Sequence, residues 1–195
     1  PRLIENAHIL LVDDDEFISA MAQAYLEHAG FAHIETASDG QSCLDRMHAN
    51  PPDIVILDLR MPVVDGLDVL RRMRETPALA DVPVLVTTGT DESQERNEAI
   101  RAGANSLISK PFDAPLLIEK TRSLIERQVL LQQLNLYRER VSRELEMAKE
   151  LQLALLPSDD MIAYVRERYG CQVSARFCSS SELAGDFWGL KPLND

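Results

Sequence analysis

Short apolar runs recur along the first half of the chain, and they are continuous rather than alternating in polarity. Four of them cover residues 9–12, 54–57, 84–86 and 107–108, and a fifth, weaker run covers residues 31–36. Continuous runs of valine, isoleucine and leucine are typical of parallel strands that are covered on both faces. The pattern therefore predicts four buried strands and a fifth, weaker one.

Segments with helical periodicity separate these runs. Apolar residues recur every three to four positions in residues 17–29, 41–49, 66–74 and 93–102. Alternation of strands and helices predicts an α/β fold, a doubly wound and five-stranded parallel sheet. The ligand crevice of such a sheet lies outside the carboxyl ends of its strands. The residues that follow each run are therefore the candidates for function.

Polar side chains with complementary chemistry follow four of the predicted strands. Asp13 and Asp14 follow the first strand, Asp58 the third, Thr88 the fourth and Lys110 the fifth. Because the carboxyl ends of parallel strands meet at one edge, we expect these five side chains to lie close together. Carboxylates at short distance repel one another unless a cation or a proton neutralises them. The sequence therefore predicts a cation site at this edge.

The predicted edge fits Mg²⁺ and a phosphoryl group. Mg²⁺ takes oxygen ligands, keeps several waters and organises phosphate oxygens. A hydroxyl at Thr88 and an ammonium group at Lys110 suit the remaining oxygens of a phosphoryl group. Asp58 is then the candidate nucleophile, because carboxylates form acyl phosphates. The aspartates and the threonine also have structural explanations: residues 13–15 as a helix cap, Asp58 as a turn residue and Thr88 as a helix-entry residue. A single lysine before a proline carries little information by itself.

The motifs around these positions resemble those of a known family. Residues 8–127 resemble the receiver domain of bacterial response regulators, which has a flavodoxin-like fold. The resemblance implies a phosphoprotein of a two-component phosphorelay, phosphorylated by a sensor histidine kinase or a small phosphodonor. It rests on the segments Leu11-Val12-Asp13-Asp14, Ile56-Leu57-Asp58-Leu59-Arg60-Met61-Pro62, Asp65-Gly66, Pro83-Val84-Leu85-Val86-Thr87-Thr88, Gly103-Ala104 and Lys110-Pro111-Phe112.

The resemblance implies a role for each member of the predicted metal site. Asp58 is expected to be the phosphoacceptor. Asp14, Asp58 and the main-chain carbonyl of Arg60 are expected to ligate Mg²⁺, and Asp13 is expected to act through bound water. Mg²⁺ is thus the cofactor that the resemblance implies for this part of the chain.

Further residues carry implied roles in catalysis and signalling. Thr88 and Lys110 are expected to contact the phosphoryl oxygens, and the Lys110–Pro111 peptide bond is expected to be cis. Leu107 stands where the family commonly places an aromatic residue whose rotation couples to the position of Thr88. We therefore expect the signal to pass through packing beneath the last helix.

Residues 116–156 contain neither glycine nor proline, which predicts one long helix. At about 1.5 Å per residue this helix reaches roughly 60 Å, longer than a small domain. A seven-residue repeat within it predicts a coiled-coil seam and a parallel homodimer. The alternatives are a solvated monomeric helix and a helix folded back on the preceding domain. The seam residues are Leu130, Leu134, Tyr137, Val141, Ala148, Leu151 and Leu155.

Residues 157–195 carry motifs of a different kind. A predicted helix over residues 161–168 and a predicted strand over residues 172–177 lead to Gly185-Asp186-Phe187-Trp188. Together with Glu150-Leu151-Gln152, Leu155-Leu156-Pro157 and Ala175-Arg176, this motif resembles the beginning of a PP2C-type serine/threonine phosphatase domain of the SpoIIE-like branch. The resemblance implies that Asp186 binds Mn²⁺ or Mg²⁺ in the complete output domain. The other ligands would lie beyond the chain, so we do not expect this chain to be a competent phosphatase.

The net charge and the lack of long apolar runs limit which classes of partner are expected. The chain of 195 residues has a formal net charge of −12, and residues 1–115, with 20 acidic and 9 basic residues, carry −11 of it. Excess acidic groups repel phosphate backbones and anionic lipid, so we expect neither nucleic acid nor a membrane as a partner. No apolar run exceeds five residues and no basic leader precedes one, which favours a cytoplasmic protein. The cysteines have no CxxC spacing, and we expect them to be reduced.

Three functions are compatible with an organisation into residues 1–115, 116–156 and 157–195. The first is a response regulator that controls a PP2C-like output domain acting on a regulatory partner, for example in sigma-factor control. The second, resembling the RssB adaptors, is a non-catalytic protein that delivers a stress sigma factor to a protease. The third is a transcription factor, which the absence of a helix-turn-helix with a basic recognition face disfavours.

Overall fold

The computed structural model describes residues 2–89, 93–154 and 156–170. All five predicted strands are present, and each boundary lies within two residues of its predicted place. α1 was not predicted, because four residues are too few to show a period. In chain order the elements are α1 (Arg2–Glu5), β1 (His8–Val12), α2 (Glu16–His28), β2 (His33–Ala37), α3 (Gly40–Ala49), β3 (Ile54–Asp58), α4 (Gly66–Glu75), β4 (Val84–Thr88), α5 (Ser93–Arg101), β5 (Ser106–Ser109), α6 (Ala114–Ala154) and α7 (Asp159–Tyr169).

The five strands form one parallel sheet in the order β2-β1-β3-β4-β5. β1 is in register with β3 from Ile9 opposite Ile54, and β3 is in register with β4 from Val55 opposite Val84. This topology confirms the predicted fold class. The strand order reverses between β1 and β3, and a crevice therefore opens at the carboxyl ends of these two strands.

Apolar side chains cover both faces of the central strands β1, β3 and β4, which explains why their sequences are continuous apolar runs. The edge strands β2 and β5 are only partly buried. On one face Leu10 and Val86 belong to a cluster that includes Leu70 of α4. On the other face Leu11 and Leu85 belong to a cluster with α6. Neighbouring residues of one strand thus contribute to opposite faces, as the pleat requires.

Aspartates begin four of the helices. Asp15, Asp39, Asp65 and Asp113 precede α2, α3, α4 and α6, and each side chain accepts at least one main-chain N–H of the first turn. A negative charge at this end also interacts favourably with the helix dipole. Part of the acidity of the first 115 residues is therefore structural.

α6 runs without interruption from Ala114 to Ala154 and confirms the predicted long helix. Pro115 lies in its first turn, where a missing N–H costs no helical hydrogen bond. The chain divides into two compact units, residues 1–131 and 132–195, and α6 contributes to both. In the first unit, Leu117, Leu124 and Ile125 of α6 are buried against the sheet.

The described part of the second unit consists of the end of α6 and of α7. Ser158 caps α7, and Gly170 ends it in the left-handed region at φ 68°. No described side chain of α7 is buried. Among the described helices, none combines the length and the apolarity that crossing a membrane requires.

Candidate functional site

The predicted site residues meet at the carboxyl edge of the sheet. Asp13 directly follows β1, and Asp58 is the last residue of β3. Thr88 ends β4, and its carbonyl accepts the main-chain N–H of Lys110 at 2.7 Å. Parallel pairing therefore brings residues from four strand ends to a single edge.

Three carboxylates form an acidic cluster (Asp13, Asp14 and Asp58) at this edge. One oxygen of each lies within 4.8 Å of those of the other two. Asp13 and Asp58 are only 4% and 6% exposed, whereas Asp14 is open to solvent. Burial raises the pKa of Asp13 above its ordinary value. An all-oxygen cluster with one solvent-exposed member fits Mg²⁺, which prefers oxygen ligands and retains waters.

Lys110 bridges two members of the acidic cluster. Its Nζ lies 2.6 Å from Asp13 Oδ2 and 2.8 Å from Asp58 Oδ2. Burial alone lowers the pKa of Lys110, but the hydrogen bonds and charges of the two carboxylates outweigh burial, and the pKa is raised. The ammonium group therefore stays charged and neutralises part of the cluster.

The three consecutive aspartates after β1 have different partners. Asp15 caps α2 by accepting the main-chain N–H groups of Phe17 and Ile18 at 2.9 and 3.2 Å. Asp13 accepts the N–H of Asp15 at 3.1 Å, which helps to orient its carboxylate. Asp14 joins the acidic cluster without a role in the cap. The helix cap that the sequence left as an alternative is thus real, but it belongs to Asp15 alone.

The hydroxyl group of Thr88 is buried at the carboxyl edge of the sheet. The side chain is 1% exposed, and its Oγ1 has no hydrogen-bond partner among the described residues. Buried polar groups are rarely left unpaired, because the loss of water is then uncompensated. An oxygen of a bound group would supply the missing partner. Thr88 is also not a helix-entry residue, because α5 begins only at Ser93.

The loop after β3 packs closely on Asp58. The main-chain N–H of Arg60 lies 3.4 Å from Asp58 Oδ1. Gly66 donates its N–H to the Leu59 carbonyl at 2.9 Å, and a Cβ on Gly66 would lie 2.1 Å from the Asp58 carbonyl oxygen. Only glycine fits at that distance. The sequence marked Gly66 as a motif residue, and the structure supplies the physical reason.

Two residues with expected signalling roles lie beside the site. The Lys110–Pro111 peptide bond is cis, as expected. Leu107 is in register with Val86 and packs, half-buried, in the cluster on the face opposite α6. The sheet therefore separates Leu107 from α6. A relay through packing beneath the last helix stays a prediction.

The predicted seam of α6 is unevenly exposed. Its exposed members, each more than half accessible, are Leu130, Leu134, Tyr137 and Leu151. Val141 and Ala148 are half-buried. Leu155 and the predicted output-domain ligand Asp186 lie outside the described residues, as does the predicted strand at 172–177. The homodimer stays a prediction.

Comparison with known proteins identifies the family. Residues 9–122 match the family described as the response regulator receiver domain, over more than half of the chain. The chain belongs to this family. Receiver domains are parts of two-component response regulators, bind Mg²⁺ for phosphorylation and interact with sensor histidine kinases.

Curated relatives of this receiver domain include transcriptional regulators. Transcriptional regulatory protein CseB of Streptomyces avermitilis is 35% identical over 125 residues, 64% of this chain and 52% of that protein. Response regulator MprA of Mycolicibacterium vanbaalenii is 39% identical over 119 residues, 61% and 50% of the two chains. The chain thus spans about half the length of both. DNA-binding dual master transcriptional regulator RpaA of Synechocystis is 30% identical over 204 residues, 96% of this chain and 79% of that protein.

Solved structures show the same receiver fold. Chemotaxis response regulator CheY4 of Vibrio cholerae matches with a TM-score of 0.58 and 28% identity, over 61% of this chain and 98% of that one. NtrX of Brucella abortus matches with a TM-score of 0.62 and 25% identity, over 84% of this chain and 34% of that one.

The expected PP2C-type output domain is wrong. CseB and RpaA are transcriptional regulators, and the similarity to RpaA covers 96% of this chain, well beyond the receiver domain. The resemblance at residues 157–195 rested on a few motif positions in a segment too short to bury its own core, so packing constrained them little. The output-domain metal and the adaptor function lose their support with it. RpaA is DNA-binding by name, which also conflicts with the expected absence of nucleic acid.

Proposed function

We propose that this chain is the phosphoaccepting part of a response regulator and that Asp58 receives the phosphoryl group. The observation that carries the proposal is the contact of Lys110 with both Asp13 and Asp58 inside the acidic cluster. A cation held against the Asp58 carboxylate stabilises additional negative charge at that oxygen. Exposure of Asp14 leaves the cluster open to solvent, and therefore to a metal ion and a phosphodonor.

We assign the Mg²⁺ ligands to Asp14, Asp58 and the main-chain carbonyl of Arg60, with Asp13 acting through bound water. Asp13 already accepts hydrogen bonds from Lys110 and from the N–H of Asp15, which favours an indirect role. When bound, Mg²⁺ neutralises the carboxylates and orients the phosphoryl oxygens.

The chain's own residues then contribute three actions. An Asp58 oxygen attacks the phosphorus atom, and the bond to the donor's leaving group breaks with its electron pair going to that group. Lys110 shifts a hydrogen bond from the Asp58 carboxylate to a phosphoryl oxygen. Thr88 donates its buried hydroxyl to another phosphoryl oxygen. Both donors act where negative charge develops in the transition state. A sensor histidine kinase or a small phosphodonor supplies the group.

The proposed output is regulation of transcription, supported by the names of CseB and RpaA. The net charge of −12 disfavours contact with DNA by the acidic receiver domain itself. We therefore assign transmission of the phosphorylation state to the helical segment at 116–156, after a receiver domain that ends near residue 115.

A parallel homodimer through α6 is the proposed assembly. Leu130, Leu134 and Tyr137 follow one another at spacings of four and three residues, and all are more than half exposed. Such a stripe matches the seam of a two-stranded coiled coil. Pairing would place two receiver domains at the same end of the coil.

Incubation with acetyl phosphate and Mg²⁺, followed by intact mass spectrometry, tests the phosphoacceptor assignment. We expect one phosphoryl adduct on the native chain, none on Asp58→Ala, and none when EDTA removes the metal. Asp45→Ala is the matched control, because Asp45 is an exposed aspartate of α3 outside the acidic cluster. It should give the native adduct. An adduct that persists in Asp58→Ala would show that another residue is the phosphoacceptor.

A further inference from the structure

Glu95, in the first turn of α5, is joined to the loop that follows Asp58. Its Oε1 accepts a hydrogen bond from Nε of Arg60 at 3.3 Å. Arg60 lies two residues after Asp58, and its main-chain N–H is 3.4 Å from Asp58 Oδ1. One residue therefore contacts the phosphoacceptor through its main chain and α5 through its side chain.

The hydrogen bonding of Glu95 is incomplete. Its Oε2 is buried and has no hydrogen-bond partner among the described residues. A carboxylate has acceptor capacity on both oxygens, and burying one without a partner is unfavourable. The Arg60 guanidinium, by contrast, is largely exposed and carries a planar fork of donors that matches phosphate geometry. A stronger anion can therefore displace the Glu95 carboxylate from the Arg60 guanidinium.

α5 buries little apolar surface. Among its described side chains, residues 94–101, only Ala99 is buried. A second polar contact joins Arg96 Nη1 to the Ser109 hydroxyl at 3.0 Å. Elements with few buried apolar groups open at low free-energy cost. A polar contact in the first turn therefore contributes a large share of what holds that turn in place.

We propose that Arg60 changes partner on phosphorylation: its guanidinium leaves Glu95 for the phosphoryl group on Asp58, and the first turn of α5 is released. This inference rests on the proposed phosphoacceptor role of Asp58. A phosphoryl group carries more negative charge than one carboxylate, and it offers three acceptor oxygens. Arginine also binds phosphate in a bidentate manner. Phosphorylation of Asp58 thereby makes the first turn of α5 less ordered.

Hydrogen exchange of the full chain, measured by mass spectrometry on peptides covering α5, tests the change of partner. Exchange is compared with and without acetyl phosphate and Mg²⁺, and the adduct fraction is measured on the same samples. We expect exchange of α5 to rise about two- to fivefold on phosphorylation, the factor that an exposed ion pair contributes. In Glu95→Gln and Arg60→Gln, exchange should already be raised before phosphorylation and should show no further rise per adduct formed.

Glu98→Gln is the matched control. It removes the same charge from the same helix, and Glu98 accepts from Gln94 at 3.4 Å rather than from Arg60. It should keep the native response. An adduct on Asp58 with unchanged exchange of α5 overturns the change of partner and leaves the phosphoacceptor role intact. A rise in α5 exchange on phosphorylation of Glu95→Gln has the same meaning. Absence of any adduct overturns both.

Discussion

The interior of the receiver domain and the exposed extension of α6 (residues 130–154) are both rich in leucine, but they differ in burial. Leu117 of α6 is fully buried against the sheet, whereas Leu134 and Leu136 of the same helix are 60% and 65% exposed. The helix itself is continuous across this change. Absence of glycine and proline therefore determines how long the helix is, and the sheet determines which part of it is buried.

The difference separates two uses of apolar side chains. In the interior they are removed from water within the chain and stabilise the fold. Along the extension they remain in contact with solvent, where the proposed homodimer would use them as its contact surface. Substitutions in the two regions should therefore have opposite profiles, with effects on folding in the first and on assembly in the second.

The largest contrast is expected for the reactivity of Cys43, which is buried in α3. Burial raises the pKa of its thiol to about 12 from an ordinary value of 9.0, and the charge of Asp39 adds to the shift. The thiolate fraction at pH 8 falls about a thousandfold as a result. Alkylation of Cys43 by iodoacetamide should therefore be at least about a thousandfold slower than that of the cysteine introduced by Leu136→Cys. Both chains carry Cys171→Ser and Cys178→Ser.

The same shift has a consequence for stability. Between pH 9.0 and about 12 the folded chain keeps a thiol proton that the unfolded chain loses, so the free energy of unfolding falls as pH rises through this window. Cys43→Ala should remove that part of the slope. If Cys43 reacts as fast as the introduced cysteine, it does not belong to the interior, and the contrast fails.

Replacing one leucine by alanine in each region compares the buried and the exposed part of the same helix. Leu117→Ala should lower the free energy of unfolding by about 2–5 kcal/mol, because a cavity replaces a fully buried side chain. Leu136→Ala should change it by no more than about 0.5 kcal/mol. Urea unfolding followed by circular dichroism measures both. Equal losses in the two variants would contradict the division of α6 into a packed and an exposed part.

The smallest effect is expected on self-association. Leu134→Asp, in the predicted seam, should weaken the homodimer by about 1–3 kcal/mol, because a charge would replace an apolar contact. Leu136→Asp, next to the seam but outside it, is the control and should remain dimeric. Sedimentation equilibrium over a concentration series measures the dissociation constants. A native chain that stays monomeric at high concentration would contradict the coiled coil for both variants at once.

Much of the fold was predictable because its determinants are local. The runs at 9–12 and 54–57 indicate covered parallel strands, and an unbroken segment indicates a long helix. Convergence of Asp58 and Lys110 follows from parallel topology. The error at residues 157–195 has a physical origin as well, since motif residues without a surrounding core are weakly constrained.

By itself the sequence determined that an α/β sheet forms, that Asp13, Asp58 and Lys110 follow its strands, and that α6 is unbroken. These outcomes depend on periodicity, on breakers and on strand order. The tertiary structure decided which aspartate caps α2, where α6 leaves the sheet, and that Arg60 meets Glu95. The cap of α2 is a local contact, and the sequence offers three consecutive aspartates for it, so only the geometry selects Asp15. The Arg60–Glu95 pair joins residues 35 positions apart and depends on how the loops and helices pack around the sheet.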